Sequence, residues 1–286
     1  MQKIVVISDS SCDYSPEQAL AAGFTMVPLT VSFGDEHFLE GLELTPAQFY
    51  RRLAKTSELP KTSQPSPEMF MRVFRTYPDA EHIVCITIAG GLSGTVRSAA
   101  LAASMLEEHG FSPKIHIIDS YNGCTATGLM AETAAHMARE GASIDDVLQR
   151  MEQMQHTAAI YFVPETLEYL RRGGRIGNVR AAMGSLLGIK PILTVVQGLA
   201  TDCGKCRGAA QIKQKLVHKF LECAKDLSHV IVVHSDAPSQ AHALLHELKH
   251  VVPGIRAQIH NVGAVIGTYI GAGAVGLSFE EKAARW

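Results

Sequence analysis

The chain has 286 residues, 47% of them hydrophobic and 19% charged, a globular mix long enough for one large domain or two modest ones. Its formal net charge is −2 and no basic cluster interleaves with aromatics, which argues against a nucleic-acid partner. Six scattered cysteines (Cys12, Cys85, Cys124, Cys203, Cys206 and Cys223) and a leading apolar run too short for a signal peptide point to a reducing, cytoplasmic setting.

In chain order, the first half repeats one pattern: an apolar, β-branched run, a small polar loop, then a helical period. "KIVVIS" leads into "DSSCDYSPEQALAAG", "HIVCITI" into "AGGLSGTVRSAALAASMLEEHG", and "KIHIID" into "SYNGCTATGLMAETAAHMAREG". Strands apolar on both faces and alternating with helices imply a parallel sheet covered on both sides. Between the first two units lies "LPKTSQPSPEMF", residues 59–70, with Thr62 and Ser63 just ahead of two prolines. Pro67 suits the first position of a helix and Ser66 its N-cap, so this loop is expected to be stiff and its hydroxyls aimed.

The second half reads as a mixed α/β unit. "AAIYFVP" is a strand, and "ETLEYLRRGGRIGNVRAAMGSLLG" two helical pieces broken at Gly173 and Gly174. "IKPILTVVQGLATDCGKCRG" is strand, turn, strand, with Gly198 and Gly204 as turn residues. A helix, the strand "HVIVVHS", a second helix and a last strand "IRAQIHNV" follow. The fold class is therefore α/β: a doubly wound parallel-sheet domain over residues 1–155 and a mixed α/β domain over 156–286, with a soft boundary. "VGAVIGTYIGAGAVGL", residues 262–277, is the longest apolar stretch. It is short for a membrane span and reads as buried backbone packed through small residues, with a membrane hairpin as the lesser alternative.

Ligands of open parallel sheets sit beyond the carboxyl ends of the strands. Those ends carry Asp9, Ser10 and Ser11, then Gly90, Gly91, Ser93, Gly94 and Thr95, then Asp119, Ser120 and Asn122. In "GGLSGT" a helix beginning at Ser93 or Thr95 would turn free N–H groups and its positive end outward, a modest anion site. The stretch is neither a Walker A loop nor G-x-G-x-x-G, so a nucleotide site is poorly supported, and a tight turn without ligand is the plainer alternative. "GLSGT" also approaches the nucleophile elbow G-x-S-x-G, with Thr95 in place of the final glycine. Ser93 as nucleophile of an acyl hydrolase, with a later histidine such as His234 as base, is the alternative function.

Three further motifs weigh less. "CGKC", Cys203 to Cys206, is a lone C-x-x-C without the second pair that zinc needs. His242, His246 and His250 recur every four residues, but Leu244, Leu245 and Leu248 mark the buried stripe of that helix, leaving the histidines on a solvated face. No metal is expected. "LRRGGRIG" gathers Arg171, Arg172 and Arg175 around a glycine pair, either as a helix C-terminus or as a contact for an anion or a protein.

Taken together, "SDSSCD", "KTSQPSP", "LSGTVRSA", "IDSYNG", "LEYLRRGGRIG", "LLGIKPIL", "GKCRG" and "VGAVIGTYIGAGAVGL" resemble, in this order and over nearly the whole chain, the DegV family of bacterial fatty-acid-binding proteins, which includes the FakB-type subunits of fatty acid kinases. The resemblance implies a two-domain fold with one long-chain fatty acid in an apolar tunnel at the interface. It also implies no cofactor and no catalytic machinery in this chain. Thr62 and Ser93 would bind the carboxyl group, and a separate ATP-dependent kinase subunit would phosphorylate it, feeding phospholipid synthesis. Ser10, Gly94, Thr95, Ser120, Arg175 and Arg207 are candidates for the head group or the entrance, Arg207 also for the kinase contact. A transient contact with a membrane surface is kept open. The sequence departs from the family at Tyr269, where a histidine is expected. A phenol is neutral at pH 7 and can still donate a hydrogen bond, but it supplies no imidazolium charge. Tyr269 is therefore kept as a carboxyl-binding residue, while coupling to a kinase is put in question.

Overall fold

The structure is a computed structural model and describes residues 3–182 and 188–286. Its strands, in chain order, are β1 (Ile4–Asp9), β2 (Thr25–Val27), β3 (Thr30–Phe33), β4 (Glu36–Leu39), β5 (Lys61–Ser63), β6 (His82–Thr87), β7 (Lys114–Asp119), β8 (Ala158–Val163), β9 (Ile189–Val196), β10 (Leu199–Arg207), β11 (His229–His234), β12 (Arg256–Asn261) and β13 (Val275–Glu280). The helices are α1 (Pro16–Ala22), α2 (Pro46–Leu53), α3 (Pro67–Phe74), α4 (Thr95–Glu108), α5 (Thr125–Arg139), α6 (Ile144–Thr157), α7 (Glu168–Arg172), α8 (Gly208–Cys223), α9 (Pro238–Val251) and α10 (Ala264–Ile270).

The first sheet has four parallel strands in the order β2-β1-β6-β7. Alternate residues of its strands feed different cores. Ile7, Ile83 and Cys85 pack with Phe70 and Phe74 of α3 and Ala99 and Ala102 of α4. Val6, Val84 and Ile86 face α5 and α6 on the other side. Both faces are thus covered, as the continuous apolar runs require.

The second sheet has six strands in the order β10-β9-β8-β13-β11-β12. β11 and β12 run parallel and the remaining pairs antiparallel. One face packs on α8 and α9. The other face, through Ile160, Phe162, Leu193, Val195, Ile231 and Val233, joins the same core as Val84 and Ile86 of the first sheet. Among the described residues no strand ladder crosses position 155, and we propose the domain division there, at 1–155 and 156–286. A small antiparallel sheet, β4-β3-β5, stands apart and carries Thr62 opposite Val31.

Several local expectations need correction. β12 is not the last strand: β13, drawn from the glycine-rich apolar stretch, inserts between β8 and β11. Gly276 makes this possible, because a Cβ there would meet the carbonyl oxygen of Tyr161 and the Phe162 side chain. The stretch is mostly buried, with helix α10 followed by a turn and the first residues of β13, and no helix among the described residues is long and apolar enough to cross a membrane. Gly198 does sit in a two-residue hairpin turn, where Gln197 and Gly198 both take positive φ, 49° and 73°. Gly204 does not turn the chain; it lies inside β10, where the register slips between Asp202 and Gly204 as in a β-bulge. After α7 the chain continues as a 3₁₀ helix, Gly177–Ala182, and the rest of the second expected helical piece falls partly on residues 183–187, outside the described residues. Leu244 and Leu248 of α9 are fully buried while His242, His246 and His250 are exposed, as their spacing implied.

Candidate functional site

Where the two sheets face each other the packing is incomplete. A cavity of about 870 Å³, part of it open to solvent, is walled by Ile160 and Phe162 of β8, Val195 of β9, Val233 of β11, Val275 of β13 and Val265, Ile266 and Ile270 of α10. The first half contributes Leu29, Ile88, Leu92, Gly123 and Cys124. Its side chains are overwhelmingly apolar, and three of the polar ones (Thr62, Arg175 and Tyr269) are linked through the contacts below, with Ser93 next in the chain to Leu92, whose carbonyl Arg175 reaches.

Thr62 lies in β5 rather than in a loop, paired with Val31 of β3, and the segment after it is fixed by the start of α3. Ser66 caps α3 through the backbone N–H of Met69, at 3.2 Å, and Pro67 takes the first helical position. Gln64 ties this loop to the next. Its Nε2 donates to Ser98 Oγ of α4 at 2.8 Å, and its amide lies over Gly94, where any Cβ would collide with it. Gly94 is therefore the N-cap of α4 because the neighbouring loop needs the space, and it supplies no side-chain cap to the helix's first N–H groups. Ser93 Oγ lies 2.8 Å from Thr95 Oγ1.

Tyr269 reaches the same place from α10. Its hydroxyl is 2.6 Å from Thr62 Oγ1. The ring lies against Gly173, whose missing side chain makes room for it. The Arg175 guanidinium sits over the ring's face, 4.8 Å from its centroid, and donates to the carbonyls of Gly173 at 2.8 Å and Leu92 at 3.3 Å. Arg175 thereby joins the second half of the chain to the loop preceding Ser93. Among the described residues no carboxylate pairs with it.

The other expected residues lie elsewhere. Ser10 is buried, donating to Glu40 Oε2 at 2.6 Å and accepting from the Leu29 N–H at 3.0 Å. Ser120 is buried against Asn122 and Thr127. Thr95 touches the site only through Ser93, and Gly94 only through Gln64. Arg207 is exposed at the N-terminus of α8. None of these five lines the cavity. The strand-end acids also serve the loops: Asp9 accepts from the N–H of Ile88 and Asp119 from those of Gly90 and Tyr121.

As for the nucleophile elbow, the partners of Ser93 Oγ are the Thr95 hydroxyl and N–H, and no histidine or carboxylate reaches it among the described residues. His234 borders the cavity, but its Nδ1 accepts from the N–H of Ala237 at the start of α9. The cysteines of "CGKC" are in a strand, each S–H directed at a β9 carbonyl (Cys203 to Ile192, Cys206 to Lys190), and not at a helix start. No group of three or more His, Cys, Asp or Glu suited to a metal occurs among the described residues.

What sequence reasoning missed is a buried acidic cluster that positions α10. Asp13 Oδ1 accepts from the Gly263 N–H at 2.7 Å, and Glu40 Oε1 from the Val265 N–H at 2.7 Å. Both side chains are almost fully buried, no countercharge pairs with either among the described residues, and the Cys124 thiol lies close enough to Asp13 to lower its pKa against the effect of burial. Burial pushes Asp13, Glu40 and the neighbouring Asp9 above the ordinary carboxylate range, and the Asp13 charge pushes Glu40 further.

The DegV family model ("Uncharacterised protein, DegV family") matches residues 3–282. The chain belongs to the DegV family. A DegV domain-containing protein of Halalkalibacterium halodurans is 32% identical over 98% of this chain and 99% of its own length. Among solved structures, DegV of Bacillus subtilis, described as a fatty acid binding protein, superposes with a TM-score of 0.87 at 30% identity, covering 99% of this chain and 100% of that one. A stearic acid-binding protein from Eubacterium ventriosum superposes with a TM-score of 0.86 at 29% identity, covering 99% of each chain. The two solved structures agree with the α/β architecture of a parallel sheet plus a mixed sheet, and both are described as binding fatty acids.

The acidic cluster gives a pH prediction. A carboxyl held above its unfolded value binds its proton more tightly in the folded chain, so stability is lost as pH rises from the ordinary carboxylate range towards about 8. Glu40→Gln removes part of that loss. The thermal midpoint of the variant, relative to wild type, is expected to rise steadily over this range, and a difference independent of pH would contradict the assignment.

Proposed function

We propose that the chain binds one long-chain fatty acid, with its tail between the two sheets and its carboxyl group against Thr62, Ser93 and Tyr269. The observation that carries this reading is the distribution of polarity: an apolar cavity between the sheets with hydroxyls and one guanidinium gathered on its wall. The family membership supports it.

Energetics divide the labour. Each buried methylene contributes about 0.8 kcal/mol, so a sixteen-carbon chain offers on the order of 10 kcal/mol before ordering costs. A neutral hydrogen bond nets about 1 kcal/mol. The tail supplies affinity and the hydroxyls fix where the head lies. A carboxylate in an apolar site is costly without compensation. Arg175, at the cavity rim, supplies the positive charge that the phenol at 269 lacks.

In this reading the chain presents the carboxyl group to a separate, ATP-dependent kinase subunit in the cytoplasm and has no catalytic machinery of its own. There the carboxylate oxygen forms the new bond to the γ-phosphorus of ATP, the bond to the bridging oxygen breaks, and ADP leaves. The acyl phosphate would feed phospholipid synthesis. The exposed Arg207 is a proposed kinase contact.

Native mass spectrometry with palmitate or oleate tests the binding step: one adduct per chain is expected, and a chain that takes up neither acid contradicts the reading. Thr62→Ala combined with Ser93→Ala is expected to weaken binding by about thirty-fold, two hydrogen bonds' worth at about 1 kcal/mol each, with the far-UV spectrum unchanged. Tyr269→His tests the coupling. With a kinase subunit of a DegV-type system, the variant is expected to support faster ATP-dependent acyl-phosphate formation than wild type at saturating acid. Equal rates would show that the side chain at 269 does not set coupling.

A further inference from the structure

The hydroxyls on the cavity wall are already linked in pairs. The Tyr269 hydroxyl and Thr62 Oγ1 stand 2.6 Å apart, so one donates to the other. Ser93 Oγ and Thr95 Oγ1 are paired in the same way at 2.8 Å, and Ser93 Oγ also accepts from the Thr95 N–H at 3.4 Å. A hydroxyl carries one proton and two lone pairs. In each pair the mutual bond uses one proton, which leaves one O–H to donate and lone pairs to accept. Thr62, Ser93 and Tyr269 therefore offer the cavity a mixed set of donors and acceptors without any charge.

Among the described residues Arg175 is the single Lys or Arg lining the cavity, and it is already engaged. Its Nε donates to the Leu92 carbonyl, its Nη1 to the Gly173 carbonyl, and its face lies on the Tyr269 ring. The residue is exposed, so water and salt screen its charge. A carboxylate only accepts hydrogen bonds. Against these hydroxyls it satisfies the O–H groups but not the lone pairs, and its desolvation is offset by one screened cation. An uncharged hydroxyl head both donates and accepts, and it has no charge to desolvate.

We propose that the cavity also takes single-chain lipids with an uncharged hydroxyl head, long-chain primary alcohols being the simplest. The inference rests on the acyl-binding reading for the tail and goes beyond it at the head. A larger head has room. A polar compartment of about 1050 Å³, part of it open solvent, meets the cavity at Thr62, Arg175 and Tyr269, so the glycerol of a monoacylglycerol fits the same description.

Displacement of a dansyl-labelled fatty acid by palmitate, hexadecanol and methyl palmitate tests this. Hexadecanol is expected to bind within about ten-fold of palmitate at physiological salt, with the gap narrowing as salt is added. Methyl palmitate, uncharged but unable to donate, is expected to bind about five-fold more weakly than hexadecanol, one hydrogen bond's worth. Tyr269→Phe is expected to shrink that difference, and Arg175→Gln to weaken palmitate more than hexadecanol. Hexadecanol binding more than about ten-fold more weakly than palmitate, or no more tightly than methyl palmitate, would overturn the inference. Failure of the labelled acid and of palmitate to bind at all would instead overturn the acyl-binding reading.

Discussion

The constraint on which the rest depends is the incomplete packing between two sheets. Interiors close-pack, and an unfilled apolar space forfeits dispersion and transfer energy on all its walls. Here Phe162, Val195, Val233 and Ile160 from one sheet face Ile88 and Leu92 from the other half without filling the gap. A wall so apolar gains from any alkyl chain that enters. In the proposed function, the polar residues around this gap serve one end of such a chain.

That end is assembled from three distant parts of the sequence. Thr62 comes on an edge strand, Ser93 on a loop at the end of β6, and Tyr269 on a short helix near the C-terminus. Each is braced by a contact with another part: Gln64 on Gly94 and Ser98, Arg175 on Leu92, Tyr269 on Gly173. The short helix is in turn held by Asp13 and Glu40, whose carboxyls accept from the N–H groups at its start. Keeping those carboxyls protonated costs less than ionising them unpaired in the same place. The proposed head-group position thus depends on acids that do not line the cavity.

What was legible in the sequence was local. The stiffness of residues 59–70 follows from Ser66 and Pro67 alone, the parallel sheet from continuous apolar runs, and the hairpin at Gly198 from its turn chemistry. The motifs at Thr62, Ser93 and Arg175 marked residues that the fold brings together. What was not legible depends on partners far along the chain. Nothing near Gly276 says that β13 will insert between β8 and β11, because its glycine answers to the Tyr161 backbone. Glu40 carries no local sign that it will be buried beside Asp13. Ser10, Ser120 and Thr95 look like ligand hydroxyls by position, yet each is consumed by a neighbouring side chain or backbone group. A strand-end position fixes where a residue starts, and the rotamer and its partners decide whether it faces the ligand space.

The most direct test of the central claim is a crystal structure of the chain grown with palmitate. The account predicts continuous density for the alkyl chain between Phe162, Val233 and Ile266, with carboxyl oxygens within hydrogen-bonding distance of Thr62 Oγ1 and Ser93 Oγ. Palmitate bound elsewhere, or side chains closed over the space between the sheets with no room for a tail, would contradict it.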